Sequence, residues 1–308
     1  MIPRILALMG PTAVGKTDVS IELARRLGAE IVGCDSMQVY RRMAILTQQP
    51  TAEQRQAVPH HLIDYVDPSE EFSAGRYRRD AGRVIEEIQG RGKVVLIVGG
   101  TGLYLKALAE GLGQVPAVEP RIREALWARS REAGSDALYE ELARVDPAAA
   151  ANIHPSNTRR VVRALEVYEA TGRPMSSYWT PSDAPIELTA LALTRERTDL
   201  YQRIDRRVEQ MLTRDGVLDE VRALADADLS TTARQVHGLR FLEAHVRGEL
   251  GLRELIPRWQ QQVRNYAKRQ LTWFRAVPGI RWVTAEPRDD VASIVARLAD
   301  AAACTMEK

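Results

Sequence analysis

Gly10-Pro11-Thr12-Ala13-Val14-Gly15-Lys16-Thr17 has the spacing G-x-x-x-x-G-K-[ST]. The residue types suit the binding of a phosphate chain. Glycines let successive backbone N–H groups turn inward into a nest for an anion, and a helix beginning at the end of the loop adds positive potential. Lys16 has the reach to meet terminal phosphate oxygens, and the Thr17 hydroxyl is the expected ligand of Mg²⁺. The loop implies a phosphate or diphosphate ligand and does not specify ATP. The second group of interest is Asp35-Ser36-Met37-Gln38-Val39-Tyr40-Arg41. A carboxylate at Asp35 could ligate Mg²⁺, take a proton from a substrate or cap the turn that follows; position alone leaves the three open.

The elements that must hold these groups follow from the apolar pattern. Ile5-Leu6-Ala7-Leu8-Met9 is a continuous apolar run, as in a buried parallel strand. Helical spacing follows from Lys16 to Leu27, then a strand Glu30-Ile31-Val32-Gly33-Cys34 that ends at Asp35. In a parallel sheet the carboxyl ends of the strands face the ligand crevice, so Asp35 is expected to point toward whatever the glycine loop holds. Residues 41–72 read as irregular, 74–89 as a helix, and Val94-Val95-Leu96-Ile97-Val98 as the most apolar strand, closed by Gly99-Gly100-Thr101-Gly102. No acid ends that strand and no N-K-x-D guanine signature occurs, which speaks against an ATPase and a GTPase. The alternation predicts an α/β fold, a P-loop NTPase-like parallel sheet flanked by helices. Residues 119–172 are helical throughout and strand character returns near 186–193, so 115–185 reads as an inserted all-helical domain in a core made of 1–114 and 186–308. Long helices are expected at 198–226 and 252–275, and a peripheral helix with a loose tail from Thr284 to Lys308.

Composition bounds the rest. The chain has 308 residues, 45% of them hydrophobic, and a formal charge of +2, so a nucleic-acid contact must come from local arginine clusters rather than overall basicity. Cys34 and Cys304 offer neither a disulfide framework nor metal spacing, which suits the cytoplasm. No signal peptide and no run of about 18 apolar residues is found, so no membrane span is expected. His60-His61 are adjacent, a poor arrangement for one metal ion. On the helix beginning near Asp199, Arg207 flanks the apolar stripe Ile204, Val208, Met211, whereas Arg203 and Arg206 turn toward solvent. Arg159 and Arg163 share a helical face, with the chemistry of either a phosphate contact or a solvated basic surface. Trp259, Val263, Tyr266 and Phe274 form a stripe that reads as core.

Six blocks in order, GPTAVGKT, DSMQVYR, HHLIDYVDPSEEFSAGRYRRDA, GGTGLYLKAL, IHPSNTRRVVRALEVYEATGRP and AKRQLTWFR, resemble the tRNA dimethylallyltransferase family over almost the whole chain. The resemblance implies transfer of a dimethylallyl group from dimethylallyl diphosphate to N6 of adenosine 37 in the anticodon stem-loop of tRNA. By that match Asp35 is the general base, and Ser36, Met37 and Gln38 lie against the flipped base. The residues Gly10, Pro11, Thr12, Ala13, Val14, Gly15, Lys16 and Thr17 cradle the diphosphate with Mg²⁺ at Thr17, and Arg207 steadies the leaving group. Thr101, Arg123, the segment Arg159, Arg160, Val161, Val162, Arg163, and the segment from Gln235 through Gly238 to Arg240 match tRNA-contacting positions. A monomer is expected.

Two departures stand out. The family's Met-Asp-Ile-Gly-Thr-Ala-Lys-Pro is here Met43-Ala44-Ile45-Leu46-Thr47-Gln48-Gln49-Pro50, lacking acid, glycine and lysine, and its Gly-Tyr-Lys/Arg is Gly238-Leu239-Arg240. The competing readings are a P-loop small-molecule or nucleotide kinase, a free-adenylate isopentenyltransferase, and a non-catalytic RNA-binding protein.

Overall fold

The computed structural model describes residues 4–113, 115–116, 118–180 and 184–303; the expected tail at 304–308, with Cys304, lies outside them. The chain divides into two compact units, Met1–Ala109 with Glu187–Lys308, and Glu110–Ile186.

In the larger unit the order is β1 (Ile5–Met9), α1 (Lys16–Leu27), β2 (Ala29–Cys34), α2 (Ala44–Thr47), α3 (Ala52–Ala57), β3 (His60–His61), α4 (Ala74–Gly90), β4 (Val94–Gly99) and α5 (Gly102–Glu110). The smaller unit carries α6 (Pro120–Ala133), α7 (Ser135–Val145), α8 (Pro147–Asn152) and α9 (Thr158–Thr171). The larger unit then resumes with β5 (Thr189–Thr194), α10 (Arg197–Thr213), α11 (Val217–Arg222), α12 (Leu239–Val246), α13 (Leu252–Arg275), β6 (Arg281–Thr284) and α14 (Val291–Ala303).

Six strands form one parallel sheet in the order β3-β2-β4-β1-β5-β6. The central strands are apolar along their whole length because helices cover the sheet; Leu6, Ala7, Leu8 and Met9 of β1 are fully buried. The register decides where the chemistry sits. Met9 pairs with Gly99 and Gly99 with Cys34, so Gly10, Gly100 and Asp35 leave the sheet at one level. Asp35 and the glycine loop are thus two strand spacings apart, about 10 Å.

Several expectations need correction. The stretch 41–72 is not irregular: α2, α3 and β3 lie in it, and Thr51 with Gln54 closes a reciprocal capping box on α3. The helix expected over 198–226 breaks after Thr213, where Gly216 turns left-handed (φ 79°) before α11. A sixth strand, β6, precedes the last helix. That helix, α14, is not peripheral, since Ile294, Val295 and Leu298 are buried in the same cluster as Val19, Leu23 and Leu191.

The smaller unit has its own core of Leu126, Leu138, Leu142, Val161, Val162 and Leu165. Its buried acids are satisfied. Asp146 accepts from Ala149 N (3.0 Å) and Ser176 N (2.9 Å), and Glu166 pairs with Arg123 and Arg163.

Candidate active site

The glycine loop runs from the end of β1 into α1, with Gly15 at φ 102° turning the chain into the helix. Its carbonyl groups are taken one by one. Lys16 Nζ donates to Gly10 O (2.9 Å) and Pro11 O (2.8 Å), Arg203 Nε to Ala13 O (2.9 Å) and Arg195 Nε to Val14 O (2.8 Å). A peptide unit points its N–H away from its C=O, so tying the carbonyls to cations turns N–H groups to the other side. Thr12, Ala13, Gly15, Lys16 and Thr17 line a cavity of about 1050 Å³. Gln270 of α13 closes the arrangement: its Oε1 accepts from Thr12 N and its Nε2 donates to Gly100 O, each at 2.9 Å. A Cβ on Gly100 would lie 2.1 Å from that amide and one on Gly99 2.0 Å from Cys34 O, which is why β4 ends in glycine.

Two cations in this cavity are held against their solvation preference. Burial draws Lys16 down to about 8, partly countered by Asp35 and reinforced by Arg207. Burial, then the nearby Arg203, draws Arg207 down to about 10. Desolvated like charges at close quarters are relieved by an anion, and a phosphate chain supplies one. Arg203 was expected to face solvent; it is half-buried, lines the cavity and braces the loop, while Arg206 is exposed. One helical turn separates Arg203 from Arg207, so both point to the loop from α10.

Two strands over, at the end of β2, stands Asp35. Its Oδ1 accepts from Met37 N (2.9 Å) and Gln38 N (3.4 Å), so one oxygen caps the turn and Oδ2 remains for a substrate. Asp35, Met37 and Gln38 line the same cavity as Lys16. Ser36 N donates to Thr101 Oγ1 (3.0 Å), and the two hydroxyls lie 3.4 Å apart. Gln38 donates both Nε2 hydrogens inward, to Thr47 O (3.2 Å) and Gln48 O (2.7 Å), so only its Oε1 is left to read a base.

Sequence reasoning missed one wall of the cavity. Tyr266 and His237 line it, their ring centroids 4.3 Å apart and tilted by 49°. Both ring nitrogens of His237 are buried with no hydrogen-bond partner among the described residues, and burial with the nearby Arg269 pushes the ring down to about 4. The α13 stripe therefore serves both: Phe274 is core, Trp259 is buried yet lines the cavity, and Val263 and Tyr266 line it too. Helical period alone does not distinguish a side chain against the core from one against a cavity beside it.

The expected RNA-contacting positions differ in what they offer. In the smaller unit Arg159 and Arg160 are exposed, but Val161 and Val162 are 0% and 2% exposed. Their side chains pack in the core of this unit, so the side chains of the segment that face outward are those of the arginines. Arg123 and Arg163 are both tied to the buried Glu166 carboxylate. In the larger unit Gln235 Nε2 donates to Thr231 O (3.2 Å), and Gly238 N donates to Gln262 Oε1 (2.9 Å). A Cβ on Gly238 would lie 2.3 Å from the Trp259 ring. Arg240 is exposed, with its guanidinium 4.5 Å from the Phe241 ring centroid. Leu239, in place of the expected aromatic, is 1% exposed and packs inward.

The divergent loop at 43–50 is filled rather than missing. Met43 and Leu46 are buried, and Gln49 donates to Gln38 O (3.1 Å) and Tyr40 O (2.8 Å). The Glu220 carboxylate accepts from Ile45 N and Leu46 N, each at 2.8 Å. The adjacent histidines belong to the fold: His61 Nε2 meets Glu30 (2.7 Å) and His60 Nδ1 meets Val58 O (2.7 Å).

Against known proteins, the family model described as IPP transferase matches residues 38–277. The chain is 44% identical to the tRNA dimethylallyltransferase of Geobacter sulfurreducens, over 95% of this chain and 96% of that one. It is 47% identical to that of Roseiflexus castenholzii, over 94% and 95%. A crystal structure of the full-length tRNA isopentenylpyrophosphate transferase from Bacillus halodurans is similar with a TM-score of 0.70 at 40% identity, covering 97% of this chain and 95% of that one. A eukaryotic dimethylallyltransferase captured acting on tRNA is similar with a TM-score of 0.79 at 29% identity, over 96% of this chain and 77% of that one.

Proposed function

The chain belongs to the IPP transferase family, alongside the tRNA dimethylallyltransferases, and on that premise we propose that it moves the dimethylallyl group of dimethylallyl diphosphate to N6 of adenosine 37 beside the anticodon of tRNA, releasing diphosphate. The observation that carries this reading is one cavity lined by the glycine loop, Lys16 and Arg207 together with the Asp35 carboxylate. The bond from the allylic C1 to the diphosphate oxygen breaks and a bond from C1 to N6 forms. Positive charge develops on the allyl carbon and negative charge on the leaving diphosphate. The loop N–H groups, Lys16 and Arg207 meet that negative charge, with Lys16 exchanging the Gly10 and Pro11 carbonyls for phosphate oxygens. An exocyclic adenine nitrogen is a weak nucleophile, so Asp35 takes its proton as the new bond forms. The base must leave the anticodon stack to reach the cavity, and Ser36, Met37, Gln38 and Thr101 lie around Asp35 to receive it.

Mg²⁺ fits this site as a substrate-held ion. The Thr17 hydroxyl would hold the ion together with diphosphate oxygens, the all-oxygen chemistry that Mg²⁺ prefers, and among the described residues no group of three or more His, Cys, Asp or Glu forms a protein cage. When bound, the ion neutralises charge on the diphosphate.

The partners in this reading are dimethylallyl diphosphate and the tRNA anticodon stem-loop, the compartment is the cytoplasm, and the working form is a monomer. The exposed large apolar residues Leu103, Trp179, Leu252, Trp282 and Val291 belong to different segments, which supports the monomer. Among the described residues no helix is long and apolar enough to cross a membrane.

The test incubates the protein with Mg²⁺, labelled dimethylallyl diphosphate and an unmodified tRNA bearing adenosines 36 and 37, followed by mass spectrometry of the digested RNA. The expected result is label on N6 of adenosine 37. Label on free AMP instead would reassign the protein to adenylate, and label on neither would overturn the proposal.

A further inference from the structure

The divergent loop lines the cavity from Ala44 to Pro50, and the side chain of Gln48 meets an arginine of the anion site. Arg207 Nε donates to Gln48 Oε1. The Gln48 amide is itself fixed, donating from Nε2 to Ile45 O (2.9 Å), and its backbone carbonyl accepts from Gln38 Nε2 (2.7 Å). Its turn is held at the front by Glu220, which receives Ile45 N and Leu46 N, and at the back by Thr47 Oγ1 on Met43 O (2.6 Å).

The backbone conformation points the same way. Gln48 closes α2 in the left-handed region at φ 58°, where glycine or asparagine is the cheaper residue. A glutamine held there is strained by the approach of its Cβ to the backbone. Such strain persists where the side chain is used, and the partner of this side chain is the most deeply placed arginine of the cavity.

Resting on the reading of Arg207 as a diphosphate contact, we infer that Gln48 is a positioning residue that presents Arg207 to the diphosphate of the donor. A guanidinium has five N–H donors in a rigid plane. With Nε directed to Gln48, the plane is fixed and the four donors on its two Nη atoms are the ones that meet an anion. The neutral amide matters: a carboxylate at this place would pair with Arg207 and compete with the diphosphate, whereas an amide orients the cation without cancelling it. The turn also joins the two halves of the site, since Gln38 beside Asp35 grips the backbone of the residue whose side chain grips Arg207.

The test uses the full-length chain with the variants Gln48→Gly and Gln48→Met, inorganic diphosphate as the calorimetric probe, and the tRNA assay run alongside. Loss of a hydrogen bond to a charged group predicts diphosphate affinity about tenfold weaker in both variants. The KM for dimethylallyl diphosphate should rise by a similar factor while the KM for tRNA stays unchanged. Gln48→Gly relieves the left-handed strain, so its melting temperature should hold or rise as its affinity falls, an outcome that a purely structural role would not give. Unchanged diphosphate affinity in both variants would overturn the inference, as would a fall in affinity that tracks a fall in melting temperature. If the unaltered protein binds diphosphate but does not prenylate tRNA, the activity reading fails, and calorimetry still decides the role of Gln48.

Discussion

Lys16 shows what burial does to a charge that waits for its ligand. Its ammonium sits near 8 in the free protein rather than 10.5. Bound diphosphate favours the charged form, so its pKa must rise on binding, and from about pH 8 up to that raised pKa binding takes up a proton. Diphosphate affinity should therefore fall as pH rises through that window. Calorimetry near pH 9 in two buffers of different ionisation heat should find the uptake, and Lys16→Met should abolish it. Asp35 makes a separable prediction. Asp35→Asn should lower prenyl transfer by about 10²–10⁴-fold while diphosphate affinity holds, since a base acts on the proton and not on the leaving group. Full transfer by that variant would leave Asp35 only its capping role. His237, pushed to about 4, should remain neutral in an NMR titration down to about pH 5.

The element that braces the site most widely is α13. Gln270 joins the glycine loop to the turn after β4, and its removal strands Thr12 N–H and Gly100 C=O. Gln270→Leu should cost about 1–3 kcal/mol per stranded group, seen as a lower melting temperature and weaker diphosphate binding together. This element also marks the limit of what the sequence makes legible. The bounds of α1 and α13 are readable because a long amphipathic period repeats enough times to rise above local noise, and the catalytic loop and Asp35 are readable because each sits directly after an apolar strand. The strand β6 is not, since Arg281-Trp282-Val283-Thr284 buries only Val283 and has no apolar run. Nor are the roles of Arg195, Arg203 and Gln48: the side chain of each meets a backbone carbonyl or another side chain, a contact that leaves no motif, and Gln270 sits in the block AKRQLTWFR without that block saying what it bridges. In the block from Arg159 to Arg163 the motif names five consecutive residues, while the helix turns the side chains of Val161 and Val162 inward.

For the whole molecule, a net charge of +2 leaves RNA affinity to local arginines. Arg159 and Arg160 are exposed on α9, and replacing both with Glu should weaken tRNA binding, lower the slope of log affinity against log salt by about 1 per arginine, and leave diphosphate binding unchanged. An unchanged salt slope would remove both from the interface. The strand order has a consequence for synthesis on the ribosome. The central strand β1 lies between β4 and β5, and β5 follows it only after the whole smaller unit has been translated. At about 5–20 residues per second, roughly 180 residues of delay amount to some 10–40 s. For about the first half of that interval both edges of β1 are bare, after β4 is made one remains so, and the arginines and glutamine that brace the glycine loop do not yet exist. A growing chain of this architecture keeps apolar strand edges open on the ribosome, and its anion site is braced in full only once Gln270 has been made.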